Sequence, residues 1–374
     1  MARKLTSDKW LFTATLLLVC ISVVMVYSAS AVMAMEQHHE PYYYLFKQAA
    51  WALLGLVFVP IVMRIDYRNY RQPRVIWTML GLVAVALVAV LFGRPVNGAS
   101  RWLLLGPLGV QPSELAKIAV IFCTAALLER RMDRIDEIGY SLLPIGITVG
   151  VIVALILIEP DLGTAVTVLM IAAVMVFAAG LNYTYLLGLF LTAAPAAYLV
   201  IATSEYRMKR VTAFLDPYSD PLGDGYQMIQ SMIAIGTGGI TGRGLMDGLQ
   251  KLFYLPEAHT DFVFAVLAEE LGLAGVIVTL ALFVVLTWRA FHIARQAAEA
   301  GLPFQAYFAA GFGLWVGLQT FINIGVNLGL LPTKGLTLPL MSYGGSGLLV
   351  NFVALAILLR IDWENRQLAR GLHA

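Results

Sequence analysis

Charge is what this sequence has least of. Only 13% of its 374 residues are Asp, Glu, Lys or Arg, against about a quarter in soluble domains, while 60% are hydrophobic. That composition excludes an ordinary soluble enzyme and points to a chain that crosses a membrane many times. The net charge of +2 offers no basic patch for nucleic acid. Cysteine is nearly absent. Cys20 and Cys123 both lie inside apolar runs and read as small buried hydrophobes, which excludes a disulfide framework or a cysteine metal site. Several catalytic motifs are also missing. There is no G-x-S-x-G nucleophile elbow, no H-E-x-x-H zinc helix, no D-x-D metal pair and no Gly-Lys-Ser/Thr phosphate loop. His38 and His39 alone make no metal site.

What is present is a series of ten apolar segments, at about 10–33, 45–63, 75–92, 112–128, 139–158, 162–179, 185–203, 262–288, 305–330 and 345–361. They predict an all-α polytopic membrane protein of about ten spans in one domain, 1–374. The first segment, behind the basic "MARKLTSDKW", is about a full bilayer span. It reads as an uncleaved helix rather than a signal peptide, although "SAS" and "VMA" resemble cleavage sites. Arg and Lys gather in the N-terminal arm, in "RIDYRNYRQPR", in "ERRMDR" and in the tail. The positive-inside rule places these, and both termini, in the cytoplasm. Three Gly-, Pro- and polar-rich segments then face outward. They are 93–114, a long loop at about 204–261 between spans seven and eight, and 331–347. Long loops of this kind often carry function.

Ionisable groups near membrane depth are costly and become candidates by default. Glu114 and Lys117 in "QPSELAKI" share a helix face, either as a local pair with the lysine reaching for the surface or as a pair facing a polar cavity. In "EPDLGT", Asp161 is explained by helix capping, but Glu159 is not. "GTGGITGRGLMDG" has glycines suited to close backbone approach, without being a nucleotide loop. In "LPEAHTDFVFAVLAEELG", a helix starting near Pro256 would put Glu257, Thr260 and Asp261 on one face, with Glu269 and Glu270 deeper than any cap requires. A carboxylate at the outer surface can serve as a general base, and Arg101, Lys117, Arg243 or Lys334 can neutralise phosphate. From the residues alone this describes a membrane enzyme or a transporter with an outward polar cavity.

"LPEAHTDFVFAVLAEELGLAG" and "GLLPTKGLTLPLMSYGGSG" resemble the signatures of the SEDS family (shape, elongation, division and sporulation). "NGASRWL", "QPSELAK", "EPDLGTA" and "GTGGITGRGL" match its other blocks in order, over nearly the whole chain. "PTKGLTLPL" is closer to the division branch than to the elongation branch. Gly347 stands where a second serine is usual, and Ala268 where many members have glycine. The resemblance implies a peptidoglycan glycosyltransferase that polymerises lipid II on the outer face of the bacterial cytoplasmic membrane, at the division septum. It implies Asp261 as the essential acid, with Glu114 and Lys117 as further catalytic residues. Candidate substrate contacts are Arg101, Arg243, Glu257, His259, Thr260, Lys334, Ser342, Tyr343 and Ser346. The segment 331–347 either binds substrate or only seals the helix ends. The implied partners are lipid II, the growing glycan strand, a class B penicillin-binding protein and other division proteins. A divalent cation, Mg or Mn, is allowed but not required. Competing readings are a lipid II flippase, an elongation polymerase and an inactive scaffold.

Overall fold

A computed structural model describes residues 8–93, 101–105 and 108–371. The basic N-terminal arm before Asp8 and most of "GRPVNGAS" therefore lie outside the described residues. Each of the ten apolar segments forms a helix: α1 (Lys9–His38), α2 (Tyr43–Met63), α3 (Pro73–Leu91), α4 (Pro112–Arg131), α5 (Leu143–Ile158), α6 (Leu162–Ala178), α7 (Tyr183–Ala202), α10 (Val263–Glu299), α11 (Pro303–Asn327) and α12 (Gly345–Ala369). Eight helical stretches are long and apolar enough to cross a membrane. The other two of the ten are α6, which is apolar but short, and α4, which carries Glu114, Lys117 and Glu129–Arg131.

The outward loop differs from the expectation. It contains two helices, α8 (Glu205–Leu215) and α9 (Tyr226–Gly238), and α9 packs along α10. Ahead of α4, Leu103–Leu105 and Leu108–Val110 pair as antiparallel strands β1 and β2, with Leu103 opposite Val110.

The interior of the bundle is built from α4, α11, α12 and the first turns of α10. Trp315, Phe264, Phe308, Phe312 and Phe352 are fully buried there. By contrast none of the residues of α7 whose burial is described is buried, and the helix packs mainly on its chain neighbours α6 and α8, so its apolar surface faces lipid. One end of the bundle collects the basic loops. Asp8 caps α1 and pairs with Arg289 of α10 and Arg366 of α12. Arg360 donates to the Met63 carbonyl at the end of α2, and Arg71 pairs with Glu129 at 2.8 Å. Both ends of the described chain therefore sit at the same end of the bundle, as the loop charges predict. Asp161, Asp261 and the segment 331–347 sit at the other end.

α10 is not one straight rod. Gly272 adopts φ 62°, ψ −163° and splits it into a short half-helix, 263–271, and a long one, 273–299. Such a break frees the carbonyls of Glu269 and Glu270 and the amides of Leu273 and Ala274, which membrane cannot satisfy. The Gly-rich loop after α9 takes all four. Arg243 N donates to Glu269 O (3.0 Å) and Gly244 N to Glu270 O (3.1 Å). Leu273 N donates to Gly239 O (2.9 Å) and Ala274 N to Ile240 O (3.1 Å). Only glycine fits at this splice. A Cβ on Gly242 (φ 79°) would stand 2.0 Å from Glu270 O, and one on Gly272 would stand 2.2 Å from Gly242 N. The close approach expected of "GTGGITGRGL" is thus to the protein's own backbone.

Candidate active site

The half-helix 263–271 is preceded by a series of turns, so the helix start expected near Pro256 moves to Val263. Glu257, Thr260 and Asp261 consequently do not share a helix face. Glu257 has φ 56°, and its carbonyl accepts from both Thr260 N and Phe262 N at 3.2 Å. Thr260 Oγ1 donates to Glu257 Oε2 at 2.8 Å, so these two residues hold each other. Asp261 is gripped by its backbone. Its carbonyl accepts from Asn323 Nδ2 (2.9 Å) and Asn327 Nδ2 (3.1 Å) of α11. Its carboxylate receives no hydrogen bond from the described residues. Burial, then the charge of Glu257, pushes that carboxyl up to about 7. Arg210 and Arg101 oppose the rise, and Asp161 adds to it.

The roof over Asp261 is the segment 331–347. A Cβ on Gly335 would stand 3.3 Å from Asp261 Oδ2 and 3.9 Å from Arg101 Nη1, so the backbone at 335 lies against both groups. Arg101 reaches this point from the arm before β1. It is anchored on main chain, donating to Pro160 O (2.6 Å) and Glu159 O (3.4 Å). Arg210 of α8 donates to Thr333 O at 3.2 Å. Asn323 Nδ2 also donates to Leu336 O (2.6 Å), and Gln319 Nε2 donates to Thr337 O (2.7 Å). Lys334 is half-buried, which pulls its ammonium below the usual lysine range. Pro160, Met246, Phe253, Glu257 and Leu340 are five of the six described non-glycine residues with positive φ, and all lie in the segments around Asp261 or in the loop spliced to its half-helix. Backbone strain of this kind, about 1–3 kcal/mol each, concentrates at functional sites.

Ser342, Tyr343 and Ser346 hold this roof in place. Ser342 Oγ accepts from Leu338 N (2.7 Å), and Ser346 Oγ accepts from Gln111 N (3.2 Å). Tyr343 N donates to His259 O (3.0 Å), and its ring packs with His259 and Tyr44 at 5.5 and 5.1 Å between centroids. Burial lowers the His259 imidazole from its ordinary range, against the pull of Glu257.

Glu114 and Lys117 do form an ion pair, at 2.7 Å. The lysine does not reach for the surface. It is 1% exposed, bonded to Gln319 Oε1 (2.9 Å) and set 5.0 Å from the centre of the Trp315 ring. Gln319 then links the pair to the roof through Thr337. Arg243 is not brought to Asp261. It is exposed, and its backbone belongs to the splice. Glu269 and Glu270 are fully buried and fully engaged. Glu269 accepts from Leu249 N and Gln250 N. Glu270 accepts from Met246 N and Ser28 Oγ, and pairs with Lys251 at 2.6 Å. They clamp the loop to the half-helix. Among the described residues no cluster of three or more His, Cys, Asp or Glu is placed to hold a metal ion.

The sequence reading missed Arg210, Gln319, Asn323 and Asn327. A signal existed for the last three. They recur every four residues in "QTFINIGVN", which draws a polar stripe along an otherwise apolar span. Arg210 carried no such signal.

Fold and site together define an integral membrane protein with ten apolar-segment helices among the described residues, and with an acid whose carboxylate those residues leave unbonded grouped with two arginines at the end remote from the basic loops. The chain belongs to the cell cycle protein family of FtsW, RodA and SpoVE, the SEDS proteins, whose model matches residues 8–367. It is 43% identical over 367 residues to a probable peptidoglycan glycosyltransferase FtsW of Legionella pneumophila, covering 98% of this chain and 93% of that one. It is 45% identical over 360 residues to a probable peptidoglycan glycosyltransferase FtsW of Nitrosococcus halophilus, covering 96% and 93%. Among solved structures it matches a chain of a peptidoglycan synthase complex that coordinates polymerization and crosslinking (TM-score 0.78, 35% identity, 97% and 99% covered). It also matches RodA of Thermus thermophilus (TM-score 0.71, 30% identity, 97% and 98% covered).

Proposed function

We propose that this chain is a peptidoglycan glycosyltransferase of the division type, which joins lipid II into glycan strands at the outer face of the bacterial inner membrane. Kinship with proteins named FtsW supports the activity and the division role. The observation that carries the mechanism is the Asp261 carboxylate, held by its backbone, free of hydrogen bonds from the described residues, and flanked by Arg101 and Arg210. Lipid II carries an α-linked sugar pyrophosphate and the strand is β-linked, so a single inverting displacement suffices. The acceptor's 4-hydroxyl oxygen attacks the donor's anomeric carbon, its proton passes to Asp261, and the bond from that carbon to the pyrophosphate oxygen breaks. Arg101 and Lys334, with Arg210 behind them, offset the charge of the departing lipid pyrophosphate. Lys117 is too deeply engaged to touch it, so Glu114 and Lys117 act by holding the roof through Gln319. No metal ion is built into this mechanism. The crosslinking partner is a class B penicillin-binding protein, by analogy with the synthase complex.

Purified protein supplied with labelled lipid II tests the reading, and should yield glycan polymer. Movement of lipid II across a vesicle bilayer with no polymer formed would replace the enzyme with a flippase. Depletion in cells should give long undivided filaments whose side walls still grow. Rounded cells that keep dividing would move the protein to elongation.

A further inference from the structure

Glu159 follows the last turn of α5 and is 0% exposed, yet among the described residues neither of its carboxyl oxygens has a hydrogen-bond partner. A buried carboxylate left in that state is strongly disfavoured, and each such group in a folded protein calls for a reason. The charged groups facing it are Asp161, from its own turn, and Arg101, from the arm before β1. Beyond Arg101 stand Asp261, Glu257 and Arg210. Arg101 makes no ion pair with the Glu159 carboxyl. It donates instead to the main-chain carbonyls of Glu159 and Pro160, which are neutral acceptors. Its positive charge is therefore not spent on the Glu159 carboxyl and faces Gly335 and Asp261.

We propose that Glu159 is a positioning residue that works as an uncharged carboxylic acid, leaving the charge of Arg101 to the reaction centre. On ionisation it would add a second anion beside Arg101, competing with Asp261 for the guanidinium and drawing it out of that role. Burial, then the charge of Asp161, holds the Glu159 proton up to about 8, with Arg101 opposing. The inference rests on the reading of Asp261 as the base.

The consequence is a bell-shaped dependence of polymerisation rate on pH. Asp261 must lose its proton, so the acid limb falls below about 7. Glu159 must keep its proton, so the rate falls again above about 8. Glu159→Gln carries no charge at any pH. It should polymerise lipid II at nearly the wild-type rate at pH 7 and keep that rate on the alkaline side. The wild type should there lose about tenfold one pH unit beyond the midpoint. Deprotonation of Lys334 also acts on the alkaline side, but equally in both proteins. An unchanged alkaline limb in Glu159→Gln, or an inactive Glu159→Gln that is folded, would overturn the proposal. Infrared difference spectra of the two proteins at neutral pH give a readout independent of activity. The wild type should show a protonated-carboxyl C=O band that Glu159→Gln lacks, and a carboxylate band in its place would refute the assignment. If the wild type makes no polymer at all, the enzymatic reading fails while the infrared result still decides the state of Glu159.

Discussion

Asp261 and the pair Glu269–Glu270 stand at opposite ends of one short half-helix, and their surroundings are opposites. Asp261 is held by its backbone while its carboxylate goes unbonded by the described residues, with its proton pushed up to about 7. Glu269 and Glu270 are fully buried, and every carboxylate oxygen is taken by a backbone amide, a serine or Lys251. A buried charge that is fully partnered maintains structure, whereas one left unpartnered beside cations is available for chemistry. By that accounting the acids of a single sequence block divide into one reactive group and two clamps.

Replacement of Asp261 should produce the largest effect on activity. Asp261→Asn should lower polymerisation by about 10²–10⁴-fold, the usual contribution of a general base, while the protein folds and melts like the wild type. Near-normal glycan synthesis by the purified variant would erase the distinction between the two regions. Glu270→Ala should show the complementary pattern. It strands Lys251 in the interior, a loss of about 3–5 kcal/mol when one member of a buried pair is removed. Thermal melting in detergent should drop sharply, with the surviving folded fraction still active. A variant that melts normally but is inactive would make Glu270 a chemical participant.

How much of this was legible beforehand follows from the range of the interactions. The ten helices were readable because apolar length is a local property, and the grouping of the described basic loops at one end of the bundle because arginine counts are. Asp261, Arg101 and Lys334 could be named as site candidates because polar residues are rare in such a chain. The break at Gly272 was hidden because its hydrogen-bond partners are at Gly239–Gly244, on another segment, and local periodicity runs straight through it. The same hidden splice explains why Arg243 was assigned to the site. A cation in a glycine-rich outward loop looks like a phosphate ligand until the backbone of that loop is seen to be occupied. Arg210 was missed for the converse reason. Its helix α8 is short and amphipathic, and only the fold brings it above Asp261.

The pair Glu114–Lys117 lies between the two classes, buried like Glu270 but connected to the roof of the site through Gln319. If it acts as one unit on that roof, the double alanine variant should lose little more polymerisation activity than the worse single variant. Losses that multiply would show two separate roles and detach one of the residues from Gln319.

The smallest expected effect tests how finely Glu114 is set. Gly347 lies against this carboxylate, where a Cβ would stand 3.2 Å from Oε2, a contact tight enough that the glutamate must shift by a few tenths of an ångström. Glu114 is anchored through its other oxygen, Oε1, on Lys117, so Oε2 is the side that can move. A serine at 347 would add a hydroxyl able to donate to Oε2, worth about 1 kcal/mol. It would also replace a glycine in the first turn of α12, where serine is the better helix former by about half a kcal/mol. Both terms favour the variant, and the crowding offsets part of them. Gly347→Ser should therefore raise the melting temperature slightly and change the polymerisation rate by less than about twofold. A fall in melting temperature would mean that Glu114 cannot yield, and that the pair is packed as rigidly as the clamp at Glu270.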